Sequence, residues 1–315
     1  MAVRFGIAVP QSTAGADGFV ADGERFVRAA ESAGLDSLWV QEQLLGSDPS
    51  VEPVVHLSHV AALTSRIRLG TAAIIAPVRN PVVLAKQLAS VDRLSGGRLT
   101  VGLALGDMPA LYTASGVPHG ERVARLERFV SVAKDVWTSG EVTYDDGALR
   151  LDRAPMAPVP VQRPHPPVWF GAHSAPALDR ALRLGSGWIG AGGATVEDFA
   201  RLAARVAAAR AARTAPSGFT VSKKMYLHVG SDRQAARDAL LDWFRVHWGG
   251  ESGVSLGQRV GLAGTPQDVA RDLATVARAG AELIICNPVR DELEQLELLT
   301  QSVIPMALEI LGDDA

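Results

Sequence analysis

The sequence predicts one α/β barrel of eight parallel strands, a (β/α)8 or TIM barrel. Three observations carry that prediction. Strand-length apolar runs alternate with segments of helical periodicity along almost the whole chain. Eight such pairs are counted, the number that closes a barrel. An open doubly wound sheet would place a glycine fingerprint after strand one, and Val9-Pro10-Gln11-Ser12-Thr13 stands there instead. With 315 residues two domains would fit, but barrels of this length form one unit, so a single domain over 1–315 is expected.

The elements follow in order. Residues 3–9 read as strand one and 19–33 as a helix ended by Gly34. Residues 36–42 form strand two, 53–63 a helix, and 66–75 strand three. That strand has small residues at its centre, Gly70, Thr71, Ala72 and Ala73, which suits close approach by another backbone or a flat ligand. Helix 80–93, strand 98–105 and helix 120–138 come next. At 140–166 the alternation pauses in a hairpin around Asp145-Asp146-Gly147 and a proline-rich stretch. Alternation resumes at once, so this segment reads as an excursion from the barrel rather than a linker. Strand five (168–171), helix 175–184, strand six (187–190), helix 196–213 and strand seven (219–229) follow. Helix 232–245 leads to a glycine-rich loop at 249–261. Thr265 and Pro266 open helix 266–279, then come strand eight (282–286) and a closing helix at 291–311.

Composition narrows the function classes. Hydrophobic residues make up 47% and charged residues 21%, with a formal net charge of −3. No basic field points to nucleic acid or to an anionic membrane. No apolar run is long enough to span a bilayer. The start of the chain lacks a signal-peptide pattern, and the single cysteine, Cys286, lies in an apolar run. A cytoplasmic protein with a buried, unreactive thiol is expected. His56 and His59 share a helix face but lack the context of a metal site, so no metal is expected.

In a barrel the site lies at the carboxyl ends of the strands. Glu42 ends strand two, and Gly106-Asp107 ends strand four. Either carboxylate would suit proton transfer if the mouth is dry, and either could be an ordinary loop carboxylate. Gly171, Ala172, His173 and Ser174 follow strand five; Gly190, Ala191 and Gly192 follow strand six. Ser174 as a helix cap, and Thr195 in a capping box with Asp198, would make these loops an anion site, or simply two well-capped helices. No nucleophile elbow or phosphate loop occurs, so a bound organic cofactor would have to carry the chemistry.

Several motifs together resemble one family. Gly34-Leu35-Asp36-Ser37-Leu38-Trp39-Val40 with Glu42, Arg66-Ile67-Arg68-Leu69-Gly70-Thr71, and Asn80-Pro81 belong to them. So do Ala85-Lys86, Val91-Asp92-Arg93-Leu94-Ser95-Gly96-Gly97-Arg98, Gly102 with Gly106, Gly187-Trp188 and Gly264-Thr265-Pro266. They resemble the bacterial luciferase-like flavin- and deazaflavin-dependent oxidoreductases. The resemblance implies a luciferase-like barrel binding coenzyme F420, or alternatively FMN, with the ring in the mouth against strand three. It implies a bulged, cis backbone around Thr71, Ala72 and Ala73, and a cofactor phosphate at Gly171, Ala172, His173 and Ser174, near Gly190, Ala191 and Gly192. Gly106 would line the same cofactor site. Gln43 stands where several relatives have a ring-contacting histidine, Asp107 where some deazaflavin users have a glutamate, and Ala194 where some have a phosphate-binding lysine. The expected activity is hydride transfer between F420 and a small organic substrate, with Glu42 or Asp107 as proton donor. The alternatives are a monooxygenase using reduced FMN and oxygen, and a barrel that binds its ligand without turnover. The expected partners are a small-molecule substrate, a second copy in a homodimer, and a separate reductase.

Overall fold

The computed structural model describes residues 3–13, 18–46 and 49–312. Of the loop 43–50, Ser47 and Asp48 lie outside the described residues. The first half of the barrel is β1 (Arg4–Ala8), α1 (Phe19–Ser32), β2 (Ser37–Val40), α2 (Pro53–Leu63), β3 (Arg68–Thr71), β4 (Ile74–Ile75), α3 (Pro81–Leu94) and β5 (Leu99–Ala104). After α4 (Pro109–Ala114) and α5 (Arg122–Ser139), the hairpin β6 (Glu141–Asp145) and β7 (Arg150–Pro155) stands apart as its own two-stranded sheet. The barrel resumes with β8 (Val168–Ala172), α6 (Ala175–Leu184), β9 (Gly187–Gly190), α7 (Val196–Ala211) and β10 (Thr220–Val229). It ends with α8 (Arg233–His247), α9 (Gly250–Val260), β11 (Leu262–Gly264), α10 (Pro266–Arg278), β12 (Leu283–Pro288), α11 (Glu292–Leu298) and α12 (Ile304–Gly312).

Parallel pairing runs β12–β1–β2–β3–β5–β8–β9–β10 and back to β12, which closes an eight-stranded barrel. Alternate residues face the helices and the interior. Leu38, Val40, Leu69, Val101, Phe170 and Trp188 pack under the helices. Trp39, Trp169, Ile189, Leu283 and Ile285 fill the interior. The two indoles stack with centroids 5.5 Å apart. They plug the barrel beneath its mouth.

Four local readings change. Strand three is broken: Gly70 pairs with Thr100 and Ile74 with Leu103, so one strand advances four residues while its neighbour advances three. That extra residue is the expected bulge. Thr71 Oγ1 donates to the Gly102 carbonyl (2.7 Å) and accepts from its N–H (2.9 Å), occupying the groups a ladder would use. The Ala72–Ala73 peptide bond is cis. The second change is at 249–261, which is largely helix α9, because Gly257 lets it approach the Phe244 ring of α8 closely. Third, the loop after strand four holds the short helix α4. Fourth, the closing helix is interrupted by a π-turn at Leu299–Val303, just before Pro305, which has no N–H to donate. Cys286 is 1% exposed, and burial pushes its thiol up to about 12. No helix among the described residues is long and apolar enough to cross a membrane.

Candidate active site

A cavity of about 460 Å³ opens at the carboxyl ends of the strands. Its walls come from the ends of β1, β2, β5 and β12, the bulge, and Lys224 and Tyr226 in the middle of β10, and α8 lends Trp243 and His247. That volume lies within the range of small-molecule sites.

The bulge supplies one wall through Ala72, Ala73 and Ile75. Of the four small residues in strand three, only the two alanines line the cavity. Gly70 instead makes room for the Trp39 indole, whose ring atoms a Cβ there would overlap. Thr71 is fully buried in its link to Gly102. Those two residues are therefore small or polar for the sake of the fold, not of a ligand.

Glu42 also lines the cavity, yet its side chain is 0% exposed. Arg79 donates from Nε to Oε1 at 3.0 Å and from Nη2 to the same oxygen, while Oε2 accepts from the Ile75 N–H. Burial pushes the Glu42 carboxyl above its ordinary value, and Arg79 and the Ile75 amide oppose that shift. Arg79 also reaches Glu52 at 2.6 Å, whose other oxygen accepts from the Val55 N–H and so caps α2. Glu42 thus ties the bulge to Arg79 while still lining the cavity. Asp107 lies exposed on the rim of the same cavity, and Gln43 also lines it.

The expected phosphate residues form a neighbouring stretch of rim and do not line this cavity. Gly171 is adjacent to Ala73: a Cβ there would sit 3.9 Å from the Ala73 methyl. Ala172 is buried, and its carbonyl accepts from Trp188 Nε1 (2.9 Å). His173 and Ser174 are exposed. Ser174 occupies the N-cap position of α6, but its side chain makes no capping bond, contrary to expectation. Thr195 Oγ1 accepts from the Asp198 N–H (3.1 Å) and does cap α7. Gly190 serves packing against Phe199, and Gly192 lies under the Tyr226 ring. Gly106 adopts a positive φ of 70° beside the Ile75 side chain and turns the chain toward Asp107.

The floor of the cavity holds polar groups that the motif reading did not single out. Lys224 on β10 donates to Gln41 Oε1 and lies 3.2 Å from the Tyr226 hydroxyl. Gln41 in turn donates to Asn287 Oδ1 (2.5 Å), and its backbone is clamped by the Gln11 amide. Lys223 points the other way in the strand alternation. It is fully buried, and its Nζ donates to the carbonyls of Ala191 (2.6 Å), Ala194 (2.9 Å) and Lys224 (3.2 Å). Burial holds each lysine at about 7. The available signal was two adjacent lysines inside a strand whose remaining residues are mostly buried. His56 is buried on α2, while His59 pairs with Glu24 at 3.9 Å.

A closed parallel barrel with a broken third strand and a cavity at its mouth places the chain among the α/β-barrel proteins. The chain belongs to the luciferase-like monooxygenase family, whose model matches residues 3–283. It is 26% identical over 296 residues to the FMNH2-dependent dimethylsulfone monooxygenase of Pseudomonas putida, covering 84% of this chain and 81% of that protein. It is 27% identical over 159 residues to the oxygenase component of the flavin-dependent trigonelline monooxygenase of Acinetobacter baylyi, covering 50% of this chain and 44% of that one. An F420-dependent secondary alcohol dehydrogenase, solved with an F420–acetone adduct, shares the fold with a TM-score of 0.82 at 17% identity, covering 98% of this chain and 99% of that one.

Proposed function

We propose that this protein is the oxygenase of a two-component system that uses reduced FMN. The observation that carries the reading is the cavity wall at Ala72 and Ala73. It offers two methyl groups to a flat ring, with the open backbone of Gly171 next to it. The residues fit a flavin: an apolar wall for one ring face, polar groups opposite, and the free N–H groups of α6 beyond for a phosphate. The relative from Pseudomonas putida, similar over most of both chains, favours FMN over F420. When bound, reduced flavin supplies two electrons to dioxygen, so that one oxygen atom enters the substrate and the other leaves as water.

The chain's own residues position and shield. Ala72 and Ala73 set the ring plane, and Glu42 with Arg79 fixes the bulge beneath them. Gly171, Ala172, His173 and Ser174 hold the phosphate, with the 190–192 loop beside them. Asp107 stands at the rim within reach of the mouth, and Gln43 closes the edge of the ring site. The reading includes a homodimer and a separate reductase that delivers reduced flavin.

A second reading, hydride transfer with F420, rests on Asp107 at the position where some deazaflavin users of the family carry a glutamate. Anaerobic titration of the purified protein with each reduced cofactor separates the two. Tighter binding of reduced FMN is expected, and binding of F420 alone would reverse the order. Ala73→Phe is expected to weaken reduced FMN binding at least tenfold. Unchanged affinity would remove the ring from the bulge. Binding without substrate turnover under any donor would leave a ligand-carrying barrel.

A further inference from the structure

We propose that the wall of the mouth facing the bulge binds the anionic group of a small organic substrate, with Lys224 as its cation. This rests on the placement of a flavin ring against Ala72 and Ala73. Around the closed barrel, β3 and β10 are separated by three strands on either side, so they form opposite walls. A ring lying on the bulge therefore presents its free face toward Lys224, and a substrate has to lie between them.

Three features of that wall select an anion. Lys224 lines the cavity while being only 7% exposed, and its hydrogen-bond partners among the described residues, Gln41 and Tyr226, are both neutral. An ammonium has three N–H donors, and two acceptors leave one for an occupant. A buried cation without a counter-charge is costly, and a bound anion would relieve that cost. Asn287 stands beside it, 4% exposed, with Oδ1 taken by Gln41 and the Nδ2 donors remaining. Lysine and amide together form a two-point donor set for a carboxylate or sulfonate. The carboxylates of the cavity do not compensate Lys224: Glu42 is paired with Arg79, Asp107 lies on the rim, and Glu292 enters from α11 beyond β12. Burial holds Lys224 at about 7, so an anion would also keep it charged at neutral pH. Trp243 and Trp248 line the same cavity and give a built-in fluorescence probe.

The experiment titrates the intact protein at pH 7 with butanoate and methanesulfonate, and with the neutral isosteres butanamide and dimethyl sulfone, following tryptophan fluorescence and heat. It is run with and without reduced FMN. The anions are expected to bind at least tenfold more tightly than their isosteres. Lys224→Met is expected to abolish that preference, Lys224→Arg to keep most of it, and reduced FMN affinity to change less than threefold in both. Equal binding of anion and isostere by the unaltered protein would overturn the proposal, and this comparison needs no variant to fold. A preference that survives Lys224→Met would also overturn it. So would loss of reduced FMN binding in Lys224→Met with the anion preference intact, since the lysine would then serve the cofactor. If Ala73→Phe leaves flavin affinity untouched while the anion preference still depends on Lys224, only the ring placement fails.

Discussion

Glu42 shows how a residue with the right chemistry at the right strand end can be spoken for. Both its oxygens accept hydrogen bonds, and its counter-ion Arg79 also bonds Glu52 at the start of α2. Replacing one partner of a buried pair leaves the other charge uncompensated, at a cost of about 3–5 kcal/mol. Arg79→Leu should therefore lower unfolding free energy by about 3 kcal/mol in urea melts. Adding Glu42→Gln should recover part of it, because the stranded charge is then gone. Recovery is the informative outcome. If the double variant were less stable than Arg79→Leu alone, the Ile75 amide rather than Arg79 would be the main partner of Glu42. Sequence position alone named Glu42 and Asp107 equally, since both close strands. What separates them is a guanidinium 37 residues further along the chain, and no local motif encodes that pairing.

At the scale of elements, the most recognisable motif residues are fasteners of the scaffold. Arg98 donates to the carbonyls of Ala61 (3.1 Å), Thr64 (2.9 Å) and Ile67 (2.8 Å), which caps the end of α2 and ties it to the turn before β3. Glu31, at the end of α1, accepts from the N–H groups of Ser65, Arg66 and Ile67 at 2.7–3.0 Å and holds the other side of that turn. Asp92 is fully buried on α3 and accepts from Val161 N (2.6 Å), Gln162 N (3.1 Å) and Gln162 Nε2 (2.7 Å). It fastens the proline-rich excursion to the barrel. Asp92→Ala removes a charged acceptor from three donors and should destabilise by about 3 kcal/mol. Limited proteolysis should then cut within 156–167 faster than in the unaltered protein; equal rates would mean that the prolines alone hold the segment. Strand–helix alternation made these elements legible, because their apolar periodicity is local. Helix α9 was not, because its glycines suggest a loop until α8 is placed against them. The polar floor was hidden for a related reason. Lys224, Gln41 and Asn287 are far apart in sequence and meet only when β10, β2 and β12 enclose one mouth.

On the scale of the whole molecule, the buried ionisable groups set how stability follows pH. Folding holds Lys223 and Lys224 at about 7, far below the ordinary lysine value of 10.5, chiefly through burial. Above pH 7 the folded chain has released these protons while the unfolded chain still holds them. Stability must then rise with pH, by up to about 1.4 kcal/mol per unit for each lysine. Cys286 acts in the opposite sense. Its thiol is raised from 9 to about 12, so the unfolded chain loses that proton first and the thiol's own contribution falls as pH climbs past 9. On the acid side, burial keeps His56 neutral down to about 4. Burial alone would raise the Glu31 carboxyl, but three amide donors outweigh it and hold the group at about 2. His56 costs stability as pH falls from 6.5 toward 4, and Glu31 as it falls from 4.5 toward 2. The chain should therefore gain stability from pH 4 to about 10, because two lysines outweigh one thiol until the unfolded lysines also deprotonate, and lose it beyond. Urea unfolding across that range, followed by both tryptophan fluorescence and far-ultraviolet circular dichroism, checks this. Trp39 and Trp169 report the barrel interior, and dichroism reports the outer helices. If 1–315 is one unit, the two probes should give coincident midpoints at every pH. Lys223→Met should flatten the rise between pH 7 and 9. A rise of unchanged slope in that variant would leave Lys224 as its source, and a flat profile in the unaltered protein would show that both lysines remain charged inside the fold.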